Sequence, residues 1–92
     1  MNKLPSELNT CNVIVMENGN LEKIRSFPQT EDGVTQAEIA FHDEIVEWHK
    51  LQGKDAPLEE EIEAATEDGH FDYNGQSGML PNIFEVFLSH SA

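Results

Sequence analysis

Histidine, carboxylate and thiol side chains are where chemistry would first be sought in this chain, and their spacing limits it. His42 and His49 lie seven residues apart. On a helix that is two turns, with α-carbons about 10 Å apart, too far for a shared zinc without a bridging ligand. Glu38 sits four before His42 and could join it, but no third ligand is fixed by spacing. The pair therefore reads as partly exposed histidines flanking an apolar stripe, and no metal is expected. DYNGQSG, from Asp72, begins like a calcium loop, yet its sixth position is Ser77 and its twelfth is Ile83. Such a loop needs glycine and a bidentate glutamate there. Cys11 stands at the start of a strand-like run and lacks the electropositive surroundings that activate a thiolate. Ser89 and His90 are adjacent, so on a strand they point to opposite faces and cannot form a nucleophile–base pair. No glycine-rich phosphate loop is present. No catalytic residue and no cofactor are expected, and the chain does not read as an enzyme.

The carboxylates are the stronger signal. The stretch LEEEIEAATEDG, residues 58–69, holds six of them and no cation. Of 18 acidic residues, 14 fall between Glu31 and Asp72, against Lys50 and Lys54 alone, so the middle of the chain carries almost all of the net charge of −13. Such a charge is repelled by nucleic acid and anionic lipid and attracted to basic protein surfaces. The candidate partner-binding residues are Glu59, Glu60, Glu61, Glu63, Glu67 and Asp68, with Asp43, Glu44 and Glu47 from the preceding helical segment. Like charges at i and i+4, as in Glu59–Glu63 and Glu63–Glu67, cost a helix a few tenths of a kcal/mol each. That cost has no structural return. A purely solvated face is the competing reading, because glutamate forms helices well, suits a helix N-terminus and confers solubility.

The elements that must position these groups follow from periodicity. Ninety-two residues suffice for one small domain, 1–92, with residues 1–10 as a polar N-terminal arm. CNVIVME and NLEKIRSF flank Asn18-Gly19, a pair that accepts the positive φ angles of a tight hairpin turn. With those two as the loop, Met16 should face Leu21 and Val13 should face Ile24. Pro28 closes the hairpin. After a linker, QTEDG, Thr35 and Glu38 form a T-x-x-E capping pattern ahead of Ala37, Phe41, Ile45 and Trp48, one face of a helix of about four turns. Gly53 should end it, with Lys50 near its C-terminus. A shorter helix is expected from Ala56 to Asp68, capped by Asp55, with Pro57 in its first turn, an apolar stripe of Leu58, Ile62 and Ala65, and Gly69 as its stop. HFDYN and IFEVFLSH make a second hairpin around Asn74-Gly75 and Gly78. The fold class is α+β: a four-stranded antiparallel sheet from two β-hairpins with two α-helices packed on one face, in the order ββααββ. Phe41, Ile45, Trp48, Leu58 and Ile62 should meet Val13, Val15, Ile24, Phe84, Val86 and Leu88. An open second sheet face would favour a homodimer.

A single cysteine excludes an internal disulfide, the opening MNKLPSELNT lacks the apolar run of a signal peptide, and no stretch reaches the length of a membrane span. A soluble cytoplasmic protein is the expectation. NVIVMENGNLEKIRSF, TEDGVTQAEIAFHDEIVEW, EDGHFDYNG and FEVFLSHS together resemble the small acidic accessory proteins of bacteriophages and prophages, some of which inhibit host defence as anti-CRISPR or DNA-mimic proteins. The likeness lies in size, acidity and layout, and carries over no functional residue. It implies a basic target, a nucleic-acid-binding host enzyme or complex. Residues and resemblance together lead to a non-enzymatic acidic interaction protein that binds a basic protein surface, without contacting nucleic acid or membrane itself. The alternatives are a structural or regulatory domain with a merely solvated acidic surface, or a metal-dependent enzyme using His42 and His49.

Overall fold

The computed structural model describes residues 10–90. The expected N-terminal arm therefore lies outside the described residues, apart from Thr10, which opens the first strand. The elements are β1 (Thr10–Glu17), β2 (Asn20–Pro28), α1 (Glu31–Leu51), α2 (Glu59–Asp68), β3 (His70–Ser77) and β4 (Leu80–His90). All strand pairs are antiparallel, in the spatial order β2-β1-β4-β3, so the expected α+β fold is present. The two most apolar strands, β1 and β4, are central, as their residues on both faces require.

The first hairpin turns at Asn18 and Gly19, whose φ angles are 51° and 82°. Asn18 also ties the hairpins together. Its backbone N–H donates to the Ile83 carbonyl, and its side-chain oxygen accepts from the Ile83 N–H, both at 2.8 Å. The expected register of β2 fails one step beyond the turn. Met16 pairs with Leu21 but Val15 pairs with Lys23, leaving Glu22 as the extra residue of a β-bulge. Because side chains alternate with period two, the bulge reverses the face of everything after it. Val13 consequently faces Arg25, while Ile24 lies beside Ile14 on the far face and is half exposed.

Helix α1 begins earlier than the T-x-x-E pattern suggests. Thr30 is the N-cap, its hydroxyl accepting from the Gly33 N–H at 3.0 Å, whereas the Thr35 hydroxyl donates to the Glu31 carbonyl inside the helix. The stretch read as a linker is thus the first turn. Gly33 is buried there, and any Cβ on it would collide with the carbonyl of Pro28 at the end of β2. At the other end, the N–H of Gly53 donates to Lys50 O and that of Lys54 to His49 O, with Gly53 left-handed at φ 71°. That double bond is a Schellman stop.

Helix α2 is shorter than expected because Leu58, not Asp55, is its N-cap, and Pro57 precedes it. The Glu61 carboxylate accepts from the Leu58 N–H at 3.2 Å, while the Leu58 side chain lies exposed rather than in the core. Gly69 ends α2 in the left-handed region and accepts from the Leu88 N–H, joining helix to sheet at 2.8 Å. The second hairpin also turns later than expected, at Gly78-Met79, so Asn74 and Gly75 are strand residues.

Both helices cover one face of the sheet, α1 over β1, β2 and β4, and α2 over β3. The core between the layers joins Cys11, Val13 and Val15 to Phe84, Val86 and Leu88 below, and Phe41, Ile45, Trp48, Ile62 and Ala65 above. Trp48 stacks on Phe84 with ring centroids 4.3 Å apart. Of the expected core, Leu58 and Ile24 alone lie outside it.

Candidate functional site

The long outer face of α1 and nearly the whole of α2 present carboxylates. In α2, burial of Ile62 and Ala65 fixes the orientation, which leaves Glu59, Glu60, Glu61, Glu63, Glu67 and Asp68 in solvent. Glu59, Glu63 and Glu67 succeed one another at i+4, a ridge with a charge about every 6 Å. Where α2 lies against α1, a cleft of about 500 Å³ opens between the helices. Ile39 and Ile62 line it together with Glu38, Glu59, Glu63 and Glu67.

His42 spans the cleft. Its Nε2 lies 2.9 Å and 3.2 Å from the two Glu59 carboxylate oxygens, and its Nδ1 lies 3.6 Å from Asp43. The hydrogen bond to Glu59 raises the histidine pKa above its ordinary 6.5, against a smaller opposing effect of burial, with the negative charges of Glu59 and Asp43 adding to the rise. The only side-chain charge pairing of α2 among the described residues is this one; Glu60, Glu63 and Glu67 have no ion-pair partner there.

The nine acidic residues singled out in the sequence do not form one face. Glu44 is only 12% exposed, and one of its oxygens accepts from both Lys23 at 3.1 Å and Arg25 at 3.4 Å. Its charge is cancelled by the first hairpin. Glu47 lies with it around a separate, smaller hollow that also includes Glu22 and Trp48. Asp43 stays exposed beside His42, and it borders a shallow depression shared with Arg25 and Phe27. The coherent acidic surface is therefore α2 together with Glu38 and Asp43. Glu38 was visible in the sequence as a capping partner of Thr35 and a neighbour of His42; nothing there indicates that His42 would pair across helices with Glu59 instead.

His49 cannot act with His42. It is buried, its Nδ1 lies 2.7 Å from the Ile45 carbonyl, and its ring packs edge-on against Trp48, Tyr73 and Phe84. The reading of it as partly exposed is corrected accordingly. Among the described residues no three histidine, cysteine, aspartate or glutamate side chains gather closely enough to hold a metal. Cys11 is fully buried on the helix side of β1. No helix among the described residues is long and apolar enough to cross a membrane. No protein-family model, curated protein or solved structure matches the chain.

Proposed function

We propose that this chain is a non-enzymatic acidic interaction protein whose α1–α2 surface docks onto a basic protein surface of the kind that otherwise holds nucleic acid. One observation carries the reading: among the described residues, Glu60, Glu63 and Glu67 are exposed and without ion-pair partners beside Glu38 and Glu59, while the hairpin cations Lys23 and Arg25 are held at Glu44. Charges that repel along a helix weaken it slightly. They gain a role when an incoming guanidinium or ammonium group neutralises several at once. The apolar side chains lining the cleft, Ile39 and Ile62, suit the methylene stem of a lysine or arginine whose head meets its carboxylates.

The resemblance to small acidic phage proteins supports the finer form of this reading, an inhibitor of a nucleic-acid-binding host complex that works as a DNA mimic in the cytoplasm. The test is capture of a partner from host lysate at low salt, release at moderate salt, then competition. The captured protein should lose bound duplex DNA as the chain is added, in a saturable, stoichiometric manner. If chain and DNA bind the captured protein independently, the mimic reading fails.

A further inference from the structure

No described element covers the face of the sheet opposite the helices, and that face differs in kind from the helix layer. Cross-strand register places Ile24, Ile14, Phe87 and His70 in one row across all four strands, with Leu21, Met16, Glu85 and Asp72 in the next. Ile83 stands further along β4 on the same side. Leu21 and Ile24 are more than half exposed, at 56% and 54%, and Ile14, Met16, Ile83 and Phe87 are partly so. Six large apolar side chains on one sheet face form a patch of the size that often marks an interaction surface.

We propose that this face is the interface with a second copy of the same chain, the two sheets stacked back to back about a twofold axis. Charge selects this occupant. Two chains of net charge −13 repel wherever their helix layers approach. Packed through their sheets, they hold those layers on the outer sides, on the order of 30 Å apart given sheet spacings of about 10 Å, well beyond a Debye length. A basic partner would be drawn to the helix layer instead, and an anionic membrane would be repelled.

Among the described residues, the acidic side chains on the open face are Asp72 and Glu85, and each has a side-chain partner. The Asn74 amide donates to Asp72 at 3.0 Å, and His70 Nε2 lies 3.3 Å from Glu85. The Ser26 hydroxyl likewise donates to Asn12 at 2.7 Å. Each pairing lowers the cost of covering these groups, most completely for the neutral Ser26–Asn12 pair and least for the carboxylates. Four strands about 4.8 Å apart and about six residues long span roughly 19 by 20 Å. Two such faces would bury on the order of 1,000 Å², the lower end of specific interfaces, which fits a reversible dimer better than an obligate one. The proposal is independent of the α1–α2 reading.

Sedimentation equilibrium of the full chain tests it, over about 1 to 200 µM and at ~0.15 and ~0.5 M salt. The mass should climb from 10.3 kDa toward twice that value, and higher salt should leave association unchanged or tighten it. Partner binding through the acidic surface would respond to salt in the opposite sense, so the two proposals fail separately. Ile24→Lys and Leu21→Lys, each at an exposed edge-strand position, should weaken dimerisation at least about thirtyfold by setting a charge against the apolar partner. At concentrations where parent and variants are all monomeric, their thermal midpoints and far-ultraviolet dichroism should match. Replacing Glu59, Glu60, Glu63 and Glu67 by glutamine should leave the dimer intact. A chain that stays monomeric at the highest concentration overturns the proposal. So does a dimer indifferent to Ile24→Lys, or one that forms only after residues 1–9 are deleted, since those residues would then be the face's occupant.

Discussion

Glu44 and Glu63 carry the same side chain and have opposite roles. Glu44 takes the charge of Lys23 and Arg25, while Glu63 stands in solvent with no ion-pair partner among the described residues. Periodicity cannot separate them, because the cancellation depends on where a β-bulge in another element sends two cations. His42 gives a direct reading of the acidic surface. Its pKa is raised chiefly by the hydrogen bond to Glu59, so the folded state favours the protonated ring. The resulting stabilisation is fully present below the unfolded value near 6.5 and is lost as pH rises through the higher folded value. A proton-NMR titration of His42 should give a midpoint above 6.5, and Glu59→Gln should bring it down. An unchanged midpoint in that variant would mean the cross-helix pair does not form. Trp48 belongs to the core at the same scale. Trp48→Ala should cost about 3–5 kcal/mol in a denaturant titration, since it removes the ring stacked on Phe84 and opens a cavity. A loss below about 1 kcal/mol would place Trp48 outside the core.

At the scale of elements, what can be read from the chain is what local pattern dictates. The 3.6-residue recurrence of Ala37, Phe41, Ile45 and Trp48, the Asn18-Gly19 turn and the doubly apolar runs of β1 and β4 all appear in the structure where they are expected. The register of β2 does not, because a bulge at Glu22 leaves no mark on a run that reads as strand either way. The start of α1 was hidden for a related reason. Gly33 looks like a linker residue, yet it is a helix residue whose missing side chain lets α1 pass against the Pro28 carbonyl. Gly33→Ala should therefore destabilise by about 3 kcal/mol or more, against the gain an alanine ordinarily brings to a helix. A neutral or stabilising result would contradict this packing of α1 against β2. Helix α2 should respond in the opposite way. Replacing Glu59, Glu60, Glu63 and Glu67 with glutamine relieves like charges at i+4, so the thermal midpoint should hold or rise slightly, and Glu61 remains to cap Leu58. The variant is thus a clean probe of function, because its fold should be unimpaired.

The whole molecule is two-sided. One side is a helix layer dense in carboxylates that, among the described residues, mostly lack an ion-pair partner; the other is a sheet face with six large apolar side chains, on which Ser26 pairs with Asn12, His70 with Glu85 and Asn74 with Asp72. Net charge could be read from composition, and so could the repulsion from nucleic acid that it implies. Its segregation could not, because assigning residues to layers required the strand order and the bulge. The distribution explains why neutralising one carboxylate should matter little. Binding surfaces tuned to a polyanion sense many charges together, with duplex DNA offering about one per 1.7 Å of axis. The central claim, that the α1–α2 surface is the binding surface, is tested most directly by the affinity of the fourfold glutamine variant for the captured basic partner, measured beside the parent chain and Glu60→Gln at ~0.1 M salt. Affinity should fall by orders of magnitude in the fourfold variant and hardly at all in Glu60→Gln. If the fourfold variant binds as tightly as the parent, the acidic helices are only a solvated face and the claim is wrong.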